Sequence, residues 1–286
     1  MVSAFLLAAA LAFTEKDALV AFNYASNFVA SCTPRDAGTV RGKLAANWIL
    51  DAVSMQGADI RRDRFQAMTP KGMREFTNLT CAFEAEAGAA WIVLLSHYDT
   101  KPGVACPGAN DGASTTGLLM AYAALLAEKG LPRGNLALVW TDGEECIASY
   151  GENDGLWGAR RAVADFAKRG RPVRAAICLD MLGDRDLKVT IPANCDQTLA
   201  RIAVHAARRA GLGSDFVRLI PEIVTDDHVP FLEAGLKSLN LIDFEYGSQP
   251  GLNDYWHTPQ DTMDKVSVES LHKSGRLVAE MLNIIL

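Results

Sequence analysis

The chain has 286 residues, of which 49% are hydrophobic, so it is long enough to bury a large core. Its formal net charge is −6, and this acidic balance argues against nucleic acid as a partner, because phosphate binding requires a basic face. The six cysteines include no CxxC pair, which argues against a structural zinc finger or a thioredoxin-like redox motif.

An apolar stretch, MVSAFLLAAALAF, opens the chain at residues 1–13. It resembles the core of a secretory signal with a small-residue cleavage site, although the usual basic segment is missing. We therefore expect a signal peptide or remnant at 1–13, a single catalytic domain at 14–286, and a secreted or periplasmic protein. The alternative is the start of an ordinary helix. No other stretch reaches the ~18 uninterrupted apolar residues of a membrane span.

The periodicity of apolar residues predicts the remaining elements. Helices are predicted at 15–31, 38–56, 115–129, 156–169, 197–210 and 268–284. Strands are predicted at 62–67, 76–83, 91–96, 135–141, 173–179 and 236–242. The EAEAGAA stretch before the third strand is predicted to be a hairpin turn. Several strands are continuous apolar runs, which is typical of burial on both faces. This alternation predicts a three-layer α/β/α sandwich around a central mixed, mostly parallel sheet.

Acidic residues and histidines follow the predicted strands where each strand ends. In open α/β sheets, ligands bind beyond the carboxyl ends of the strands, so we expect these side chains to meet at one edge. A cluster of buried carboxylates needs compensating positive charge. No lysine or arginine accompanies the motifs consistently, so a divalent metal is the expected counter-ion. The residues concerned are His97, Asp99, Asp111, Asp142, Glu144, Glu145, Asp180 and His257.

The residue types favour zinc. Histidine nitrogens with carboxylate oxygens, and no cysteine, suit a catalytic zinc ion. Glu144 and Glu145 are adjacent and point in different directions, so one can bind the metal while the other carries protons. Each motif alone has a simpler interpretation: His97 as a core histidine, Asp111 as a helix cap, and DGEE as a solvated turn. Their conjunction is what predicts the metal site.

The motifs SHYDT, GANDGAS, DGEE, CLDMLGD, TDDHVPF and YWHTPQDT resemble those of the zinc-dependent exopeptidases of the M28 aminopeptidase family, in family order. The family fold agrees with the predicted sandwich. For members with two metals, the resemblance implies that Asp111 bridges two zinc ions. Glu145 and His257 would then complete one site, and His97 and Asp180 the other.

Several stretches resemble one branch of this family, the animal-type glutaminyl cyclases, which convert an N-terminal glutamine to pyroglutamate with loss of ammonia. These stretches are FQAMTPKGMREFTNL, DGEECIASYGENDGLWGAR and the tryptophan directly before His257. That branch holds a single zinc ion at the positions of Asp111, Glu145 and His257, so one zinc is expected, and His97 with Asp180 leaves room for a second. Ser96 stands where the animal enzymes have a disulfide-forming cysteine.

The resemblance implies a zinc-dependent glutaminyl-peptide cyclotransferase whose substrate is the N-terminus of a peptide or protein. Glu144 would be the general acid/base, supported by Asp180 and Asp226 as a hydrogen-bonded acidic pair. Trp256 and Tyr150 would contact the substrate, and the simpler role for Trp256 is a loop anchor in the core. The alternative is a two-zinc aminopeptidase in which Glu144 activates water. A binding domain with an inactive site is a third interpretation, and the oligomeric state does not follow from the sequence.

Overall fold

A computed structural model describes residues 10–286, which form seven α-helices and one eight-stranded sheet. The strands are β1 (Ile60–Thr69), β2 (Gly72–Glu84), β3 (Trp91–His97), β4 (Asn135–Thr141), β5 (Val173–Asp180), β6 (Val189–Ile191), β7 (Val217–Leu219) and β8 (Ser238–Ile242). The helices are α1 (Glu15–Cys32), α2 (Val40–Ser54), α3 (Thr115–Lys129), α4 (Trp157–Lys168), α5 (Gln197–Arg209), α6 (Val229–Glu233) and α7 (Val268–Ile285).

The sheet has the strand order β1-β2-β4-β3-β5-β8-β6-β7. Strand β3 is parallel to both β4 and β5, and β8 is parallel to β5. Strands β1 and β2 extend the sheet in antiparallel fashion on one side, and β8 pairs antiparallel with β6 on the other. The predicted mixed, mostly parallel sheet is therefore confirmed.

The predicted hairpin turn at residues 84–90 is wrong. Strand β2 pairs with β4, and β3 lies on the far side of β4. The reason is burial: every residue of β3 is buried, and such a strand belongs in the middle of the sheet between two parallel neighbours. The hairpin lies one strand earlier, where β1 and β2 are joined through Pro70 and Lys71.

Helices cover both faces of the sheet, which confirms the three-layer sandwich. Residues of α1, α2, α3, α5 and α7 form one core with alternate strand residues such as Ile92 and Leu94. Residues of α4 and α6 form a second core with Val93 and Leu95 on the opposite face. Successive side chains of a strand point to opposite faces, so a strand between two helical layers needs apolar residues at every position.

Three short elements, β6, β7 and α6, are absent from the sequence-based prediction. Each contains only three to five residues, which is too few for a periodic pattern to appear. Across residues 10–286, no helix combines the length and apolar character that crossing a bilayer requires.

The expected signal segment falls mostly on residues 1–9, which lie outside the described residues, so it stays a prediction. Leu11 and Phe13, at its end, are buried in the main core. The backbone N–H and C=O of Leu11 bond to the side chain of Asn283 at 2.8 and 2.9 Å. The ring of Phe13 packs on Tyr122 with centroids 4.9 Å apart. The folded structure thus includes residues from at least Leu11 onward.

Candidate active site

The carboxyl ends of β3, β4 and β5 meet at one edge of the sheet and deliver the predicted residues there. His97 is the last residue of β3, and Asp180 the last of β5. Asp111 lies in an irregular helical turn, Ala109–Ser114, that leads into α3. The turn bends at Gly112, whose φ is +90°. A side chain there would also crowd the His97 ring, since a Cβ would lie 3.1 Å from its Cε1 atom.

Asp111, Glu145 and His257 converge on one point, and we call them the first trio. The Nε2 atom of His257 lies 2.6 Å from Glu145 Oε1 and 3.3 Å from Asp111 Oδ2, and the ligand atoms of all three lie within 4.8 Å of one another. Burial lowers the pKa of His257, but the two carboxylates outweigh burial and raise the pKa to about 9. The ligands of a tetrahedral zinc ion lie ~3.3 Å apart, a spacing that the trio can adopt with small shifts.

His97, Asp111 and Asp180 form a second trio beside the first. The Nε2 atom of His97 lies 3.1 Å from Asp111 Oδ1 and 3.2 Å from Asp180 Oδ1. Burial lowers the pKa of His97, yet the surrounding carboxylates outweigh burial and hold the pKa well above its usual value. Burial raises the pKa of Asp180 to about 7. The two trios share Asp111, which directs one carboxylate oxygen to each histidine.

Glu144 faces the same space without joining either trio. Its Oε1 atom accepts a hydrogen bond of 2.9 Å from the hydroxyl group of Tyr150. Burial raises the pKa of Glu144 well above its usual value, and the negative charges of Glu145 and Asp226 raise it further. The adjacent glutamates therefore do point to different partners, Glu145 to His257 and Glu144 to Tyr150.

Asp99 organises the turn that carries the two glutamates. Its Oδ1 atom accepts the backbone N–H groups of Gly143 and Glu144 at 3.0 and 3.2 Å, and its Oδ2 atom accepts that of Glu145 at 3.2 Å. The sequence predicts that Asp99 lies at the sheet edge but does not indicate its function. The signal was its position two residues after His97, at the end of a buried strand.

Asp226 lines the same cavity as Asp180. It accepts hydrogen bonds from Asn240 Nδ2 at 2.7 Å and from Cys178 Sγ at 3.3 Å. The expected pairing of Asp180 with Asp226 stays a prediction, and the charge of Asp226 contributes to the raised pKa of Asp180. Asp226 acts on its neighbours through its charge, which contributes to the raised pKa of Glu144.

A cavity of about 620 Å³ opens over the first trio and Glu144, a volume typical of small-ligand sites. Trp256 forms part of its wall, stacked on His257 with ring centroids 3.8 Å apart and beside Phe244 at 5.2 Å. Trp256 is half-buried and borders the cavity, and it also packs against the small core cluster of Met181, Ile242 and Tyr246. The segment 220–226 also lines the cavity, and apart from Asp226 this wall is not predicted from the sequence.

A match to a protein-family model shows which family the chain belongs to. Residues 78–282 match the model of peptidase family M28. The chain belongs to this family. The resemblance inferred from the motifs is thereby confirmed, and the M28 match includes both trios and Glu144.

Proteins similar to this M28 chain are named glutaminyl-peptide cyclotransferases or glutaminyl cyclases. The chain is similar to the glutaminyl-peptide cyclotransferase of Drosophila melanogaster, at 28% identity over 277 residues, covering 86% of this chain and 76% of the fly protein. It is 28% identical over 258 residues to the Bos taurus glutaminyl-peptide cyclotransferase-like protein, covering 79% of this chain and 65% of the bovine one. Among solved structures, the glutaminyl cyclase of an Acidobacteriales bacterium superimposes with a TM-score of 0.87 at 32% identity, covering 97% of both chains.

The cysteines of the M28 chain do not contribute to either trio. All six are free thiols within the described part of the chain, and five of them are buried. Cys146 lies next to Glu145 in the sequence, but its sulfur atom contacts Lys101 Nζ at 3.1 Å. The donor set of the first trio is therefore one imidazole nitrogen and two carboxylate oxygens.

Proposed function

We propose that the protein is a zinc-dependent glutaminyl-peptide cyclotransferase, which converts the N-terminal glutamine of a peptide or protein to pyroglutamate and releases ammonia. The observation that carries the proposal is that the first trio, Glu144 and Trp256 all border one cavity, in a chain whose relatives are named glutaminyl cyclases.

Asp111, Glu145 and His257 are proposed to hold one zinc ion. One nitrogen and two oxygen ligands leave a fourth position open, as in catalytic zinc sites. The Oε2 atom of Glu145 is buried and forms an ion pair with Lys101 Nζ at 3.3 Å. On the other side, two buried carboxylates converge with a single imidazole, and buried charge of one sign is costly unless it is compensated, so a bound cation fits this environment. When bound, zinc supplies a Lewis acid that polarises the γ-carbonyl group of the glutamine.

The chain's own residues would orient the substrate and move its protons. The wall formed by Trp256 and Phe244 would hold the glutamine side chain so that the α-amine faces the γ-carbonyl carbon, since cyclisation depends on attack geometry. Glu144 would accept a proton from the α-amine as the new N–C bond forms. It would then donate a proton to the amide nitrogen as the old C–N bond breaks and ammonia leaves.

Tyr150, Asp180 and Asp226 are proposed to support this transfer. The Tyr150 hydroxyl fixes one oxygen of Glu144 and leaves the other free to face the substrate. Asp226 places negative charge near Glu144 and so favours its protonated form during the reaction. Asp180 borders the same cavity next to His97.

A second candidate is an aminopeptidase with two metal ions. The second trio favours it, because His97 and Asp180 lie on the free side of Asp111 and could hold another ion. Glu144 would then activate a water molecule that attacks the first peptide bond of the substrate.

Two peptides separate the candidates. The purified protein is incubated with a peptide that begins with glutamine and with the same peptide beginning with leucine, and the products are weighed by mass spectrometry. We expect the glutamine peptide to lose one ammonia without being shortened, and the leucine peptide to remain intact. Release of free leucine would support the aminopeptidase instead. The Glu145→Gln variant, prepared in parallel, controls for contaminating enzymes.

We also propose that the protein is secreted or periplasmic, on the strength of the apolar stretch at residues 1–13. Because Leu11 and Phe13 are buried in the core, we expect any cleavage to occur before Leu11. N-terminal sequencing of protein recovered from the cell exterior or periplasm tests this, and recovery of the full chain only from the cytoplasm would contradict it.

A further inference from the structure

One arginine, Arg35, lies fully buried beneath the turn that carries Asp111. Its guanidinium group donates hydrogen bonds to the backbone carbonyl oxygens of Tyr98 at 2.5 Å, Pro107 at 2.7 Å, Gly108 at 2.6 Å and Asp111 at 3.3 Å. The side chain is 0% exposed. A buried charge is costly unless it is well bonded, and here all four of these hydrogen bonds are made with the backbone of the site, while the centroid of the Phe28 ring lies 5.0 Å from the guanidinium carbon.

The opposite side of the turn is held by Asp261. Its carboxylate accepts the backbone N–H groups of Asn110 at 2.7 Å and Asp111 at 3.2 Å. It also accepts the hydroxyl group of Tyr246 at 2.7 Å. Arg35 thus binds carbonyl groups of the turn, and Asp261 binds its N–H groups. Asp261 comes four residues after His257 in the sequence, so the same carboxylate links the segments that carry two members of the first trio.

The turn is shaped to receive the guanidinium group. Gly108 adopts a φ of +61°, and a Cβ atom there would lie 2.7 Å from Arg35 Nη2. The backbone at Asp111 is non-helical, with φ −77° and ψ 98°. The turn keeps a backbone bond of its own, from Ala113 N–H to Gly108 C=O at 3.2 Å, but neither group belongs to Asp111, so bonds from outside the turn help to fix the direction of the Asp111 carboxylate.

We propose that Arg35 is a positioning residue that clamps the Asp111 turn against Asp261 and thereby sets the affinity of the first trio for zinc. The inference rests on the proposed zinc site. Partners that orient a metal ligand typically change metal affinity 10- to 100-fold when they are altered. Arg35 acts through the backbone of Asp111 and does not reach the metal position itself.

Arg35 could also affect zinc binding simply through its positive charge. This charge effect and the clamp can be separated by substitution. A positive charge close to the trio repels a cation, so a pure charge effect predicts no change when lysine replaces arginine. The clamp predicts weaker zinc binding for Arg35→Lys, because the ammonium group cannot reproduce the planar fork that reaches several carbonyl groups at once. Gly108→Ala pushes on the guanidinium group and on the carbonyl oxygen of Asp111, each 2.7 Å from the added Cβ, without changing any charge. Both contacts disturb the bonds between Arg35 and the turn, so the clamp predicts weaker binding there too.

The experiment titrates metal-free protein with zinc in competition with a chromophoric chelator. We expect zinc dissociation constants at least about tenfold higher for Arg35→Lys and Gly108→Ala than for the unaltered protein. Arg161→Lys is the matched control for the first, since Arg161 pairs with Asp63 on the surface at 2.8 and 3.0 Å. Gly103→Ala is the control for the second, since its φ is +79° in the same loop but its Cβ would meet nothing within 4 Å.

Circular dichroism of each metal-free variant fixes a temperature at which it is folded, and the titrations are done there. If Arg35→Lys does not fold, Gly108→Ala against Gly103→Ala decides. Zinc affinity equal to that of the unaltered protein in a folded Arg35→Lys or Gly108→Ala variant would overturn the clamp. Failure of the unaltered protein to bind zinc would instead overturn the proposed function, so the two failures are distinguishable.

Discussion

Replacing Glu144 with glutamine separates proton transfer from metal binding. The change keeps the shape of the side chain, and the amide oxygen still accepts the hydrogen bond from Tyr150. Glu144 makes no contact with Asp111 or His257 among the hydrogen bonds and ion pairs of residues 10–286, so zinc content is expected to stay at that of the unaltered protein. The buried carboxylate carries a raised pKa, so a neutral amide there does not destabilise the fold.

The size of the effect follows from what the glutamine cannot do. A positioned general acid/base contributes typically 10²- to 10⁴-fold to a rate, which corresponds to about 3–5 kcal/mol of transition-state stabilisation. Cyclisation needs a proton removed from the amine and another delivered to the departing nitrogen. Both steps are assigned to Glu144, so we expect a loss of kcat in the upper half of that range.

The assay follows ammonia release from a glutamine-initiated peptide, with zinc content measured on the same samples. Glu145→Gln is the matched control, an identical change one residue later, and it is expected to lose zinc along with activity. Retention of more than a tenth of the activity by Glu144→Gln would refute the assignment. Loss of zinc from Glu144→Gln with retention by Glu145→Gln would reverse the two proposed functions.

Three further changes test the surroundings of the site. Tyr150→Phe removes one hydrogen bond to Glu144, donated by a side chain that is 36% exposed. We therefore expect steady-state kinetics to show a fall in kcat of only about fivefold, or ~1 kcal/mol. An unchanged kcat would argue against the contact. Trp256→Ala opens the cavity wall and is expected to raise KM about tenfold while kcat changes less; a fall in kcat alone would be inconsistent with a binding role. Burial raises the pKa of Asp142 to about 8, so between pH ~4 and ~8 the native state binds one proton that the unfolded state does not. The free energy of unfolding therefore falls as pH rises through that window, by up to about 1.4 kcal/mol per pH unit. Asp142→Asn should flatten that slope in urea denaturation at pH 5 and 8, and an unchanged slope would contradict the shift.

The sequence predicts the central elements of the fold because their patterns are long. Continuous apolar runs such as 91–96 and 135–141 indicate strands buried on both faces, and these are the strands that carry the site. Strand pairing is harder to predict, since β2 pairs with β4 and not with β3, the next strand in the sequence. Nothing in residues 84–90 distinguishes a hairpin from a longer crossing, because pairing depends on which strand buries more apolar surface.

The residues that form the trios could be foreseen because each follows a strand or a glycine-rich turn. Arg35 could not, since it lies in the loop between α1 and α2 next to Asp36, and that carboxylate accepts a hydrogen bond from Thr100 instead. Its guanidinium group donates hydrogen bonds to backbone carbonyl groups from residues 98–111, and such bonds leave no pattern of paired side chains. The cavity wall at 220–226 could not be predicted either, because the segment is short and irregular and shows no periodic pattern.

Titration of the metal-free protein with zinc, while ammonia release from a glutamine-initiated peptide is followed, tests the central claim most directly. We expect no ammonia without metal, a linear rise with added zinc, and a plateau at one equivalent per chain. Ammonia release by the metal-free protein, or none at any zinc concentration, would contradict a zinc-dependent cyclisation at Asp111, Glu145 and His257.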